Sequence, residues 1–111
     1  MAHTKTHTMT ARERTQTVLA GGIPDRVPVD FGSTSVTGIH VSVVAGLREY
    51  FGLERRPVKV HEPGQMLGRI DDDLSAAMGI DTVAVMPRKT AYGFANENWK
   101  PLRFNGLEVL V

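Results

Sequence analysis

Asp25-Arg26-Val27-Pro28-Val29-Asp30-Phe31-Gly32 is the stretch whose reading decides the fold. Val27, Val29 and Phe31 alternate with Pro28 and Asp30, which is the two-residue period of a strand. Pro28 has no backbone donor to give a ladder, so it belongs near the strand's first residues or on an edge. Gly32-Ser33-Thr34-Ser35 then opens a loop, and a helical pattern follows at His40. Strand, loop, helix is the first unit of a βα protein. In such folds the chemistry sits where strands end and loops begin, and Asp30 lies at that end.

Upstream, residues 10–20 read as a helix. Thr10 and Glu13 have capping-box spacing, and Ala11, Thr15, Val18 and Leu19 fall on one face. Gly21-Gly22 stops it. Residues 1–9 have no periodicity and read as a disordered polar leader, in which His3 and His7 carry no metal site.

Downstream, residues 32–39 form a loop that is neither a Walker loop nor a G-x-G-x-x-G turn. Its hydroxyls, Thr34 and Ser35 among them, serve either a ligand or the cap of the next helix. His40 starts that helix, where the macrodipole disfavours an imidazolium and favours a neutral, hydrogen-bonding ring. Residues 40–51 carry the stripe Val43, Val44, Leu47, Tyr50 and Phe51, and Gly52 ends it. Val58 and Val60 mark a short extended piece. Residues 63–78 are expected as a third helix starting at Pro63, with Met66, Leu67, Ile70, Leu74, Ala77 and Met78 on one face. Asp71-Asp72-Asp73 resembles a metal cluster, but consecutive helical side chains point about 100° apart and cannot converge on one ion. Residues 80–86 are nearly continuous and apolar, as strands buried on both faces are. Arg88 follows at that strand's C-terminal end, either as an anion binder or as part of a solvent-facing basic loop. Asn105-Gly106 between two apolar runs predicts a hairpin. Such a hairpin would lie as a flap over the site, with Trp99 either stacking on a flat ligand or, the favoured reading, anchoring the flap.

Composition narrows the class. The chain has 111 residues, 41% hydrophobic and 23% charged, with a net charge of +1 and no cysteine. That fits one small globular domain and excludes disulfides and thiolate metal sites within these residues. No dense basic patch invites nucleic acid, no apolar run spans a membrane, and the expected location is cytoplasmic.

Several motifs in order resemble the uroporphyrinogen decarboxylase superfamily, and most closely its corrinoid-linked methyltransferase-like members. They are residues 26–32, an Asp25-Arg26 pair answering an upstream Arg-Glu-Arg helix, and Pro63-Gly64-Gln65-Met66-Leu67. The resemblance runs over residues 12–111. It implies the N-terminal portion of a (β/α)8 TIM barrel with an inserted C-terminal hairpin, residues 10–111 forming that part. Such a barrel needs roughly 250 residues, so the chain is expected to be a fragment of a longer parent.

In the decarboxylases an arginine-rich loop follows the first strand, and an aspartate ends the second. Here residues 32–36 contain no arginine, and Arg88 stands near the second place with the opposite charge. Both departures point away from tetrapyrrole decarboxylation, which is the alternative activity. In the methyltransferase branch, a histidine and late cysteines hold zinc and a corrinoid protein is the partner. No cofactor is expected within this chain, and those ligands would belong to the parent. What remains is a substrate-facing set for a small molecule: Asp30, Thr34, Ser35, His40 and Arg88. The catalytic residues themselves are not identified. A non-catalytic binding module, or a fragment inactive alone, are the competing readings.

Overall fold

The computed structural model describes residues 8–111. The elements run α1 (Ala11–Leu19), α2 (Val41–Tyr50), β1 (Val58–Glu62), β2 (Leu67–Gly68), α3 (Asp72–Met78), β3 (Pro101–Phe104) and β4 (Leu107–Leu110). The result is a mixed α/β unit with an open four-stranded sheet in the order β2-β1-β4-β3. The expected leader lies outside the described residues over residues 1–7, including His3 and His7. Met9 is tied down: its amide donates to Asp25 at 2.9 Å, and its carbonyl accepts from Arg14 at 2.8 Å.

α1 begins as its capping residues dictate, with Thr10 Oγ1 accepting the Glu13 amide at 3.1 Å. Its buried residue is Arg14, however, while Val18 and Leu19 face outward. Ion pairs and not an apolar stripe hold this helix down. α2 sits where expected. Val41 and Val44 pack into the core, but Val43 and Tyr50, at the margins of the predicted stripe, are exposed.

The sheet is built from residues other than those expected. Residues 27–31 and 80–86, expected as strands, form none and join no ladder; one backbone bond, Asp81 N–H to Val29 O at 2.8 Å, links them. The third helix is confined to Asp72–Met78, and the first half of the expected one is a turn followed by β2. The cause is local. Glu62 accepts the amides of Gly64 and Gln65 at 3.0 and 2.7 Å, which closes a turn after β1. Non-local bonds then take the next amides: Gly68 N–H goes to Ile39 O and Arg69 N–H to Lys59 O, both at 2.7 Å. The strand in this position removes the simple strand–helix alternation expected from the sequence.

β1 pairs antiparallel with β2 and parallel with β4 through Val58 and Val109. β3 and β4 form the expected hairpin, with Phe104 opposite Leu107. Asn105 and Gly106 both have positive φ, 49° and 78°, as a type I′ turn requires. α2 covers the sheet, so Ile39, Val41, Val44, Val58, Val60, Leu74 and Val109 form the core.

Gly68 lies where α2 and the sheet approach closely. A Cβ there would lie 2.7 Å from Val58 Cγ1, 2.9 Å from Val44 Cγ2 and 3.3 Å from the Val41 Cα. The helix backbone cannot give way as a side-chain tip can. Gly68→Ala is therefore expected to cost about 1–3 kcal/mol by overpacking, read as a lower urea midpoint with an unchanged m-value.

Candidate functional site

Asp30 organises the loop that follows it. Its carboxylate accepts from Ser33 Oγ, from Thr82 Oγ1 at 2.8 Å and from Thr37 Oγ1 at 3.2 Å. The Ser33 hydroxyl is the main influence holding this carboxyl below its ordinary range. Burial opposes the shift, and Thr82 and Thr37 assist it. Gly32 N–H closes the loop on Thr37 O at 2.8 Å. Thr34 and Thr37 bond each other reciprocally: the Thr37 amide reaches Thr34 Oγ1 at 3.1 Å, and the Thr34 amide reaches Thr37 Oγ1 at 3.3 Å. Ser35 stands exposed at the loop's outer turn, next to Val36. A small cleft of about 40 Å³ lies beside Gly32 and Ser33, against Ile70 and Thr82.

Behind this loop an ion-pair network sets the alignment of the two extended segments. Asp81 accepts the Val29 amide at 2.8 Å, so it fixes residue 29 beside residue 81. Arg26 holds Asp81 at 2.8 Å, and Arg14 Nη1 pairs with it as well. Arg14 also grips Asp25 through Nε at 2.7 Å and Nη2 at 3.1 Å. The Asp25-Arg26 pair thus does meet the upstream Arg-Glu-Arg helix, through Arg14. Arg14 keeps the Asp25 carboxyl far below its usual range, aided by the Met9 amide. Burial pushes Asp81 up, but the Val29 amide, Arg26 and Arg14 together outweigh it and leave it lowered.

Of the candidates, Asp30 and Thr34 share one hydrogen-bonded loop, with Ser35 on its rim. His40 is the N-cap of α2. Its Nδ1 accepts from the Ser42 amide at 3.2 Å and lies 2.8 Å from Ser42 Oγ, and its ring tilts against Phe104 at 5.8 Å. Nδ1 thereby serves as the acceptor of the cap. Arg88 is exposed in residues 87–96, and no hydrogen bond joins its side chain or that of His40 to the Asp30 loop. Ser33, Thr37 and Thr82 are partners that sequence reasoning missed. The Thr34-x-x-Thr37 spacing was a readable signal for one of them. Nothing local signals Thr82, which lies 52 positions from Asp30.

Two other features fall outside this group. A cleft of about 800 Å³ lies between α2 and the β3–β4 hairpin and contains none of the candidates. Its Arg48 and Arg56 are paired with Asp73, and its lining also carries Arg55, Arg103, Glu49 and Glu108. On β1, burial pulls the His61 pKa down against the opposing charge of Glu62, and its Nε2 is buried without a partner. Among the described residues, no group of three or more His, Cys, Asp or Glu could hold a metal. Asp71 and Asp73 instead pair with Arg56. With no cysteine in the chain, these residues do not fit a zinc–thiolate centre, and no chemical step here runs through one. Among them, too, no helix is long and apolar enough to cross a membrane.

No protein family, curated protein or solved structure matches this chain. The resemblance to the uroporphyrinogen decarboxylase superfamily therefore rests on its sequence motifs alone.

Proposed function

We propose that this chain supplies the substrate-facing opening of a uroporphyrinogen decarboxylase-like barrel. The parent would be a corrinoid-linked methyltransferase acting in the cytoplasm on a small molecule, with a corrinoid protein as partner. One observation carries the reading: residues 27–31 and 80–86 lie side by side, Val29 against Asp81 and Asp30 against Thr82. The first contact is a single backbone hydrogen bond and the second a side-chain bond from Thr82 Oγ1 to Asp30, one position further along each segment. Asp30 and its hydroxyl loop then sit at the C-terminal end, where barrel enzymes bind substrate. Val27, Val83 and Val85 on these segments are 77, 87 and 95% exposed, which suits segments that further strands would cover.

The sequence motifs supply the reaction class. The loop supports methyl transfer over decarboxylation, because a polycarboxylate substrate needs cations and residues 32–36 offer hydroxyls only. The parent is expected to leave uroporphyrinogen intact when porphyrinogen products are followed over time. Stepwise loss of carboxylates, abolished by Asp30→Asn, would move it into the decarboxylase branch. A second reading, binding without catalysis, is favoured by the saturation of Asp30 with three hydroxyl donors. A carboxylate so engaged is poor as a general base. Methyl transfer from a methylated corrinoid to a thiol, assayed with the parent, separates the two.

A further inference from the structure

We infer that residues 87–96 form a preorganised strap, latched over the turn after β1 by Tyr92 seated on Gly64. The strap is closed on itself. Thr90 N–H donates to Phe94 O at 2.7 Å, Gly93 N–H to Thr90 O at 3.0 Å and Asn96 N–H to Arg88 O at 2.9 Å. Asn96 Nδ2 adds a bond to Pro87 O at 2.8 Å, and Lys89 bridges Ala95. The hydrogen bonds of residues 87–96 are internal to the strap, so it behaves as one body joined to the domain at its ends.

Its contact with the domain is narrow. A Cβ on Gly64 would collide with Tyr92 Oη and stand 2.9 Å from Glu62 Oε1. A methyl at this position would push the tyrosine tip aside. The surface beneath is rigid, because Glu62 binds the Gly64 and Gln65 amides and Met66 O accepts the Val41 amide at 2.9 Å. The latch is also shallow. Tyr92 and Phe94 remain 63 and 66% exposed, so docking removes little apolar surface from water. Asn96 Oδ1 is buried without a partner, a desolvation cost that exposure to water removes. After the strap, Asn98 has a left-handed backbone, φ 54°, and Trp99 is pinned beneath Lys59 on β1, whose Nζ lies 5.6 Å from the ring centroid. A hydrogen-bonded body that meets the turn through the exposed Tyr92 side chain is a lid of low opening cost.

The lid leaves residues 80–86 at the same end from which the Asp30 loop leaves residues 27–31. It lands on a turn that adjoins residues 39–41, the far end of that loop. Opening therefore changes access along one rim of the domain. The device does not depend on which reaction, if any, takes place there.

The test uses 3-fluorotyrosine, since the chain has two tyrosines and Tyr50, 81% exposed, is an internal reference. The fluorine resonance of Tyr92 should be distinct from that of Tyr50 in the wild type and move to the exposed position in Gly64→Ala. Independently, Tyr92→Ala should speed tryptic cleavage after Arg88 or Lys89 by about fivefold or more, with cleavage after Arg103 unchanged. A Tyr92 resonance unmoved by Gly64→Ala, or equal cleavage in wild type and Tyr92→Ala, overturns the latch. Global unfolding of Gly64→Ala overturns it as well, because Gly64 would then serve the core and not the strap.

Discussion

Arg14→Met should produce the largest loss of stability of any single side-chain change in this chain, and the loss should shrink in acid. Arg14 is buried, and its guanidinium touches Asp25, Asp81 and the Met9 carbonyl at once. Removing it leaves Asp25 without its cation and Asp81, whose side chain is 2% exposed, with Arg26 alone. Breaking a buried pair from one side is far worse than never having had it, because the remaining charge stays desolvated. Asp81 also accepts the Val29 amide, so the alignment of residues 27–31 with residues 80–86 depends on the same cluster.

The sign of the pH dependence follows from both carboxyls lying below their ordinary value of 3.8 when folded. Their contribution is complete above that value and is lost as the pH falls through it towards the folded pKa. Urea unfolding at neutral pH should separate wild type from Arg14→Met most widely. Below about pH 4 the curves should converge as the carboxylates protonate. A gap that stays constant with pH would assign Arg14 to packing alone. Arg14→Lys should not restore stability, since a single ammonium cannot fork between two carboxylates.

The second large effect is expected at Arg48, in the last turn of α2. Its Nη1 and Nη2 bind Asp73 at 2.8 and 2.9 Å, and its Nη2 and Nε bind Glu54 O at 2.6 and 3.2 Å. One buried side chain thus fastens α2, the connector and the first turn of α3. Asp73 is held well below its usual range chiefly by Arg48, against burial and with help from the Leu74 amide. Because Asp73 is about a third exposed and keeps Arg56, the full buried-pair penalty does not apply. Arg48→Met should cost about 2–3 kcal/mol, less than Arg14→Met, as a lower urea midpoint. Asp73→Asn should recover part of the Arg48→Met loss in the double variant, since it removes the charge left behind.

Local chemistry in the sequence determined what a few neighbouring residues can decide. The Thr10 cap, the start of α2 at His40, the stop at Gly79 and the Asn105-Gly106 turn all form as their residues require. The strands expected over residues 27–31 and 80–86 did not form, although the place of Asp30 at the head of its loop was legible. Pairing was not. Whether an apolar alternation becomes a ladder depends on a partner strand, and β1 found β4 some fifty positions away, in parallel, through Val58 and Val109. Residues 63–71 carried a helical period, yet the carbonyls of Ile39 and Lys59 took the Gly68 and Arg69 amides that a helix would have used. The candidate site divides along the same line. Asp30 and Thr34 were visible as polar residues in a loop. Thr82 at the carboxylate, and the Arg14–Asp81 clasp across 67 positions behind it, exist only because folding brings charge and hydroxyl together. No sequence period encodes a meeting of that kind. It is settled by the desolvation cost of leaving either partner alone.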